Sequence, residues 1–196
     1  MTSQRPDLVL ASASPRRLAL LDQIGVTPDR VAPVDIREDV LAKESPRVHA
    51  LRVATAKAKT AQARLAPGEH AVVLAADTVV ACGRRILPKA EDDATVKKCL
   101  KLLSGRRHRV VTAVAVIDAT GKLRTRIVET KVAFRRLEAE EIARYANLGD
   151  GIGKAGGYAI QGRAAVFVRS INGSYSNVVG LPLAETFHLL KACGLG

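Results

Sequence analysis

The chain has 196 residues, 47% of them hydrophobic but only 3% aromatic, with no tryptophan and a net charge of +12. That length supports one domain, taken as residues 1–196, with a sizeable aliphatic core. Its apolar runs are short and broken by Asp77 or Thr112, against a membrane span, and its three scattered cysteines (Cys82, Cys99, Cys193) argue for a reduced, cytoplasmic protein over a disulfide framework.

Leu8 to Ala11 is a short apolar run that reads as a buried strand. Ser14-Pro15 follows, a cap with proline at the first helical position, and the helix runs through Leu18, Leu20, Leu21 and Ile24 to Gly25. Arg30 to Val34 is extended and Asp35 to Glu44 is a polar loop. Ser45-Pro46 repeats the capping signal, and the helix behind it sets Val48, Leu51, Thr55, Ala58, Gln62 and Leu65 at spacings of three and four until Pro67-Gly68. Lys57 and Lys59 lie on this helix, where solvated lysines are the default.

Ala71 to Ala76 reads as a central strand that meets Asp77-Thr78 and resumes over Val79 to Ala81. A helix is expected from about Asp93 to Leu103, and Val110 to Ile117 reads as a buried strand paired with Leu123 to Phe134 across a turn at 119–122. Glu138 to Leu148 is helical, and Gly149 to Gly157, with Lys154 inside it, is expected to be a mobile glycine-rich loop. A strand is expected at Ala165 to Ser170, a hairpin-type turn at Asn172-Gly173, and a last helix ending near Gly194. The expected fold is α/β, a mixed central sheet flanked by helices, in two lobes with a cleft.

Two features carry chemistry. A strand leading into a helix N-terminus presents unpaired N–H groups to an anion, and Arg16 and Arg17 stand where the helix dipole disfavours cations. Either they are solvated, or they serve an anion such as phosphate, which suits the guanidinium fork. Asp77 is a carboxylate inside an apolar run, so it sits at the strand's end facing a cleft, or it is paired. The positive charge is scattered, with its tightest cluster at Arg106 to Arg109, and no basic-aromatic interleaving argues for nucleic acid. The four histidines lack metal-ligand spacing.

Four stretches in order give the chain a resemblance to the Maf proteins, nucleotide pyrophosphatases first described as septum-formation inhibitors. They are Ser12-Ala13-Ser14-Pro15-Arg16-Arg17, Ala76-Asp77-Thr78, Gly157 to Gly162, and Gly173 to Leu183. The resemblance implies a fold like that of inosine triphosphate pyrophosphatases, a nucleoside triphosphate substrate, a divalent cation (Mg²⁺, Mn²⁺ or Co²⁺) and a homodimer. By position it implies that Ser12, Arg16 and Arg17 form a phosphate-binding turn and that Asp77 accepts a proton. Glu38 then lies near the metal with Asp77, Lys57 and Lys89 serve catalysis, and Gln161 faces the base or the chemistry. Pro88-Lys89-Ala90 and Arg37-Glu38-Asp39 depart from the family's usual pattern, so Asp35 or Asp39 stands as an alternative to Glu38.

A sister branch selective for 7-methylguanosine triphosphate carries Trp, Gln and Glu where this chain has Arg16, Thr78 and Gln161. Without a tryptophan there is no stacking plate for a cationic base, whereas an amide at Gln161 offers the donor and acceptor that a uracil or thymine edge needs. The resemblance therefore implies hydrolysis of dTTP and UTP to the monophosphate and pyrophosphate. The alternatives are a pyrophosphatase for 7-methyl-GTP or other non-standard purines, and a nucleotide- or nucleic-acid-binding protein without turnover.

Overall fold

A computed structural model describes residues 5–195; the ends of the expected 1–196 domain, residues 1–4 and 196, lie outside the described residues. Its centre is β3 (Ala71–Cys82), which pairs in parallel with β1 (Asp7–Leu10) and antiparallel with β5 (Arg107–Ile117). The two-residue β2 (Arg30–Val31) extends the sheet beyond β1. β6 (Leu123–Phe134) and β7 (Val168–Asn172) extend it beyond β5, and β4 (Arg85–Leu87) folds back on the end of β3.

Helices cover both faces, because residues along β3 alternate in direction. On one face α2 (Pro46–Gln62) lays Ala50, Ala54, Ala58 and Ala61 against Val9, Val73, Ala75, Val79, Val111 and Ala113. On the other, Leu8, Leu10, Val72, Leu74, Val80 and Val110 meet helices from across the chain. These are α1 (Pro15–Asp22), α3 (Asp93–Leu103), α4 (Ala139–Asn147) and α6 (Leu183–Lys191), contributing Leu21, Leu100, Ile142 and Leu190 among others. The result is a mixed sheet flanked by helices, as the sequence implies.

The buried stripe of α2 overlaps the expected one only in part: Ala58 is buried, and Leu51 and Leu65 pack partly buried against the core. Val48 is 56% exposed, and the alanines face the sheet instead. Small side chains let the helix axis approach the sheet closely, which the bulkier stripe would prevent. Near the C-terminus, residues 163–167 form a 3-10 turn where a strand is expected, with β7 starting only at Val168. Asn172-Gly173 makes no hairpin: Ser174 caps a five-residue helix, α5 (Tyr175–Val179), by accepting from the Asn177 amide.

The 149–157 segment is stitched down along its length. Gly153 donates to the Ala90 carbonyl at 2.7 Å, Ala90 to the Lys154 carbonyl at 3.1 Å, and Gly156 to the Pro88 carbonyl at 3.0 Å. Gly156 has φ +69°, and a Cβ there would meet Val80 Cγ1 at 2.8 Å. Gly156 thus serves close packing against β3, and Gly157 against Val96 and Cys99 of α3, in a segment held down where mobility is expected.

Candidate active site

Strand pairing leaves one opening in the sheet. On one edge of β3, β1 covers residues 71–74 and β4 covers 80–82, so Ala75 to Val79 have no strand partner on that edge. Asp77 and Thr78 lie in this gap. Asp77 is therefore mid-strand and, of the two settings its sequence allowed, takes the paired one. Both flanking chains run into the same gap. β1 leads into Ala11 and Ser12, and beyond Leu87 the edge strand stops at Pro88, which has no amide to donate, and delivers Lys89.

Alternation sends neighbours 77 and 78 to opposite faces. Asp77 shares the face of Val73, Ala75 and Val79, under α2, and its Oδ1 receives Lys57 Nζ at 2.9 Å. The same ammonium lies 2.7 Å from Glu38 Oε1. Lys57 is thus not a solvated lysine: its side chain is 12% exposed, and it bridges two carboxylates. Of the three acidic residues weighed for the loop, Glu38 is the one brought into the site. Asp39 pairs with Arg37 in solvent, and Asp35 is exposed. Burial raises the Glu38 carboxyl, but the Lys57 hydrogen bond and the charges of Lys57, Lys89 and Arg17 outweigh it and hold the group below its usual value.

Thr78 points the other way and hydrogen-bonds Thr112 Oγ1 at 3.0 Å. Arg17 donates through Nε to the Gly180 carbonyl (2.9 Å), through Nη1 to Ser12 Oγ (3.0 Å) and through Nη2 to Thr78 Oγ1 (3.3 Å). Gly180 has φ +134°, a conformation that turns its carbonyl to this guanidinium without a Cβ penalty. Arg17 thereby ties the first, second and last of the matching stretches together. Ser12 is buried and also accepts from the Ser14 amide at 3.2 Å, so it shapes the turn. The Ser14 side chain makes no cap bond; the helix starts on its proline alone.

Arg16 differs from its neighbour. Its Nε is buried without a hydrogen-bond partner, and burial lowers its pKa. An unpaired buried donor of this kind marks a place for an acceptor. Lys154, which sequence reasoning did not single out, belongs to the same surroundings. Burial lowers its pKa first, Arg16 and Lys89 lower it further, and Asp150 opposes them. A lone lysine among glycines was its only signal in the sequence. Arg16, Arg17, Lys57, Lys89 and Lys154 therefore outnumber Glu38, Asp77 and Asp150, an imbalance that favours a polyanion.

Gln161 is exposed and lies next to buried Ile160, on a segment held by two tyrosines. Tyr145 Oη accepts from the Ala159 amide at 3.1 Å, and Tyr158 Oη lies 2.8 Å from His108 Nε2. A groove of about 660 Å³ lies between β4 and α3 and is lined in part by Pro88 and Lys89. Among the described residues there is no cluster of three or more His, Cys, Asp or Glu able to hold a metal, and no helix is long and apolar enough to cross a membrane. Glu38 and Asp77, converging on one ammonium, are the pair that could hold a hard cation, with substrate oxygens and water completing its shell.

A dTTP/UTP pyrophosphatase from Caulobacter vibrioides is 60% identical over 189 residues, 96% of each chain. Another so named, from Novosphingobium aromaticivorans, is 58% identical over 98% of this chain and 94% of its own. Among solved structures, a HAM1 protein from Coxiella burnetii is similar at a TM-score of 0.47 and 16% identity, over 95% of this chain and 99% of its own. The model of the family described as Maf-like protein matches residues 7–193, and the chain belongs to that family.

Proposed function

We propose that the protein hydrolyses dTTP and UTP between the α- and β-phosphates, releasing the monophosphate and pyrophosphate. The observation that carries the reading is the strand gap holding Asp77, bonded to Lys57 at 2.9 Å and opened to cations from both flanks. The names of the similar proteins supply the substrate class.

Each group has a task in this reading. Arg16, Lys89 and Lys154 receive the triphosphate, because charge-assisted contacts to phosphate are strong and their own partners in the protein are few. Asp77 orients a water and takes its proton, and Lys57 neutralises the charge that develops beside it. Arg17 is already bonded to Ser12, Thr78 and Gly180, so its main task in this reading is to hold the walls of the site, with two of its five N–H groups left for a phosphate oxygen. A divalent cation (Mg²⁺, Mn²⁺ or Co²⁺) on Glu38 and Asp77 would supply charge neutralisation on the phosphates. Arg16, Thr78 and Gln161 would set the base preference, with the Gln161 amide pairing to a pyrimidine edge. The test is pyrophosphate release from dTTP and UTP by purified protein with Mg²⁺; a protein that binds these nucleotides without releasing pyrophosphate is a sensor, and the reading fails.

A further inference from the structure

Glu38 sits on a segment without regular secondary structure, between β2 and α2, and its side chain is 44% exposed. Something must hold such a segment in place if Glu38 is to meet Lys57. Six residues further on, the Glu44 side chain is only 4% exposed. It accepts Arg52 Nε at 2.7 Å and Arg52 Nη2 at 2.9 Å, the Leu41 amide at 3.0 Å, and lies 2.9 Å from His49 Nδ1. Arg52 Nη2 also donates to the Asp39 carbonyl at 2.8 Å. One guanidinium thus grips both ends of residues 39–44, and the carbonyl it holds belongs to the residue after Glu38.

We propose that Glu44 and Arg52 form a clamp that positions Glu38 against Lys57 and Asp77, making both of them positioning residues for the reaction. The inference rests on the reading of Glu38 given above. Three observations support it. The bidentate pair is the geometrically specific kind, and a buried carboxylate satisfied four times is more than a solvent loop requires. Arg52 and Lys57 are on the same helix, about 7.5 Å apart along its axis at 1.5 Å per residue, so clamp and site share one rigid support. The Arg52 guanidinium also feels the charge of Asp77, so the clamp stands close to the chemistry. The Glu44 carboxyl is held down to about 2, chiefly by the Arg52 hydrogen bond, and therefore stays ionised across the working pH range.

A double-mutant cycle tests this. Arg52→Met, Glu38→Gln and the double variant are compared for dTTP turnover with Mg²⁺. Binding of Mn²⁺ to the protein without substrate is followed by electron paramagnetic resonance. Arg52→Met alone is expected to lower kcat on the order of tenfold, the scale of a small misplacement of a reacting group, and to weaken Mn²⁺ binding. In the Glu38→Gln background the same change is expected to lower kcat less than about twofold, because the group being positioned is already gone. Arg52→Lys keeps the charge but not the fork, and substitutes for Arg52→Met in the cycle should the latter not fold. Losses that multiply fully in the double variant would overturn the proposal, showing that Arg52 acts through general stability. A Glu38→Gln protein as active as the parent would also overturn it, and continued pyrophosphate release by the parent would separate that failure from failure of the proposed function.

Discussion

Lys57 Nζ lies 2.9 Å from Asp77 Oδ1, a bond between the alanine-faced helix and the uncovered stretch of the central strand. It exists because four small side chains bring α2 against the sheet and because β1 and β4 stop short of each other on one edge of β3. The pair is nearly dry, so removing Lys57 would leave the Asp77 charge in a poor environment, whereas removing Asp77 leaves Lys57 paired with Glu38.

Asp77→Asn keeps the shape and removes the charge. Turnover is expected to fall on the order of a hundredfold or more, while Glu38 still neutralises Lys57 and the melting temperature stays close to that of the parent. Near-normal kcat in a normally folded variant would remove Asp77 as the base.

Arg16→Ala and Arg17→Ala separate ligand binding from scaffolding. Arg16 has a buried unpaired Nε, so its loss should reduce kcat/KM and leave the fold alone. Arg17 bonds three segments, so its loss should lower stability by about 2–3 kcal/mol as well as activity. Calorimetry alongside kinetics decides: equal stability losses in the two variants would erase the distinction.

The pH dependence of stability falls on His108, which burial holds down to about 4 from an ordinary 6.5. Its imidazole packs against Phe134 and Tyr158 and has an unpaired Nδ1. With the folded pKa depressed, the unfolded chain binds the proton more readily, and stability drops as pH falls from 6.5 toward 4. Between pH 7 and 5 the drop should be about 2 kcal/mol, at about 1.4 kcal/mol per pKa unit. In His108→Phe, denaturant titrations at the two pH values should lose that difference; an unchanged slope would assign it to other groups.

Much of this was legible in the chain, and the omissions have physical reasons. Ser45-Pro46 and the Asp93–Leu103 spacing placed α2 and α3 because capping and periodicity are local. The face that α2 buries was only partly legible, since an alanine stripe counts as weakly apolar in sequence but packs most closely against a flat sheet. Asp77 was recognisable as a misplaced charge, yet its setting depends on where two distant strands end. Arg17 and Arg16 look alike in sequence and differ only through Ser12, Thr78 and Gly180, the last 163 residues away. Nothing in the sequence marked Glu44 or Arg52, because burial of a carboxylate by its own loop leaves no periodic trace.

The base preference is the central claim, and one panel tests it most directly. With Mg²⁺, kcat/KM for pyrophosphate release is measured on dTTP, UTP, CTP, GTP, ITP and 7-methyl-GTP. The account expects dTTP and UTP to lead, consistent with Thr78 and Gln161 in place of larger or acidic residues and with the absence of any tryptophan. Higher kcat/KM for 7-methyl-GTP than for dTTP would contradict it.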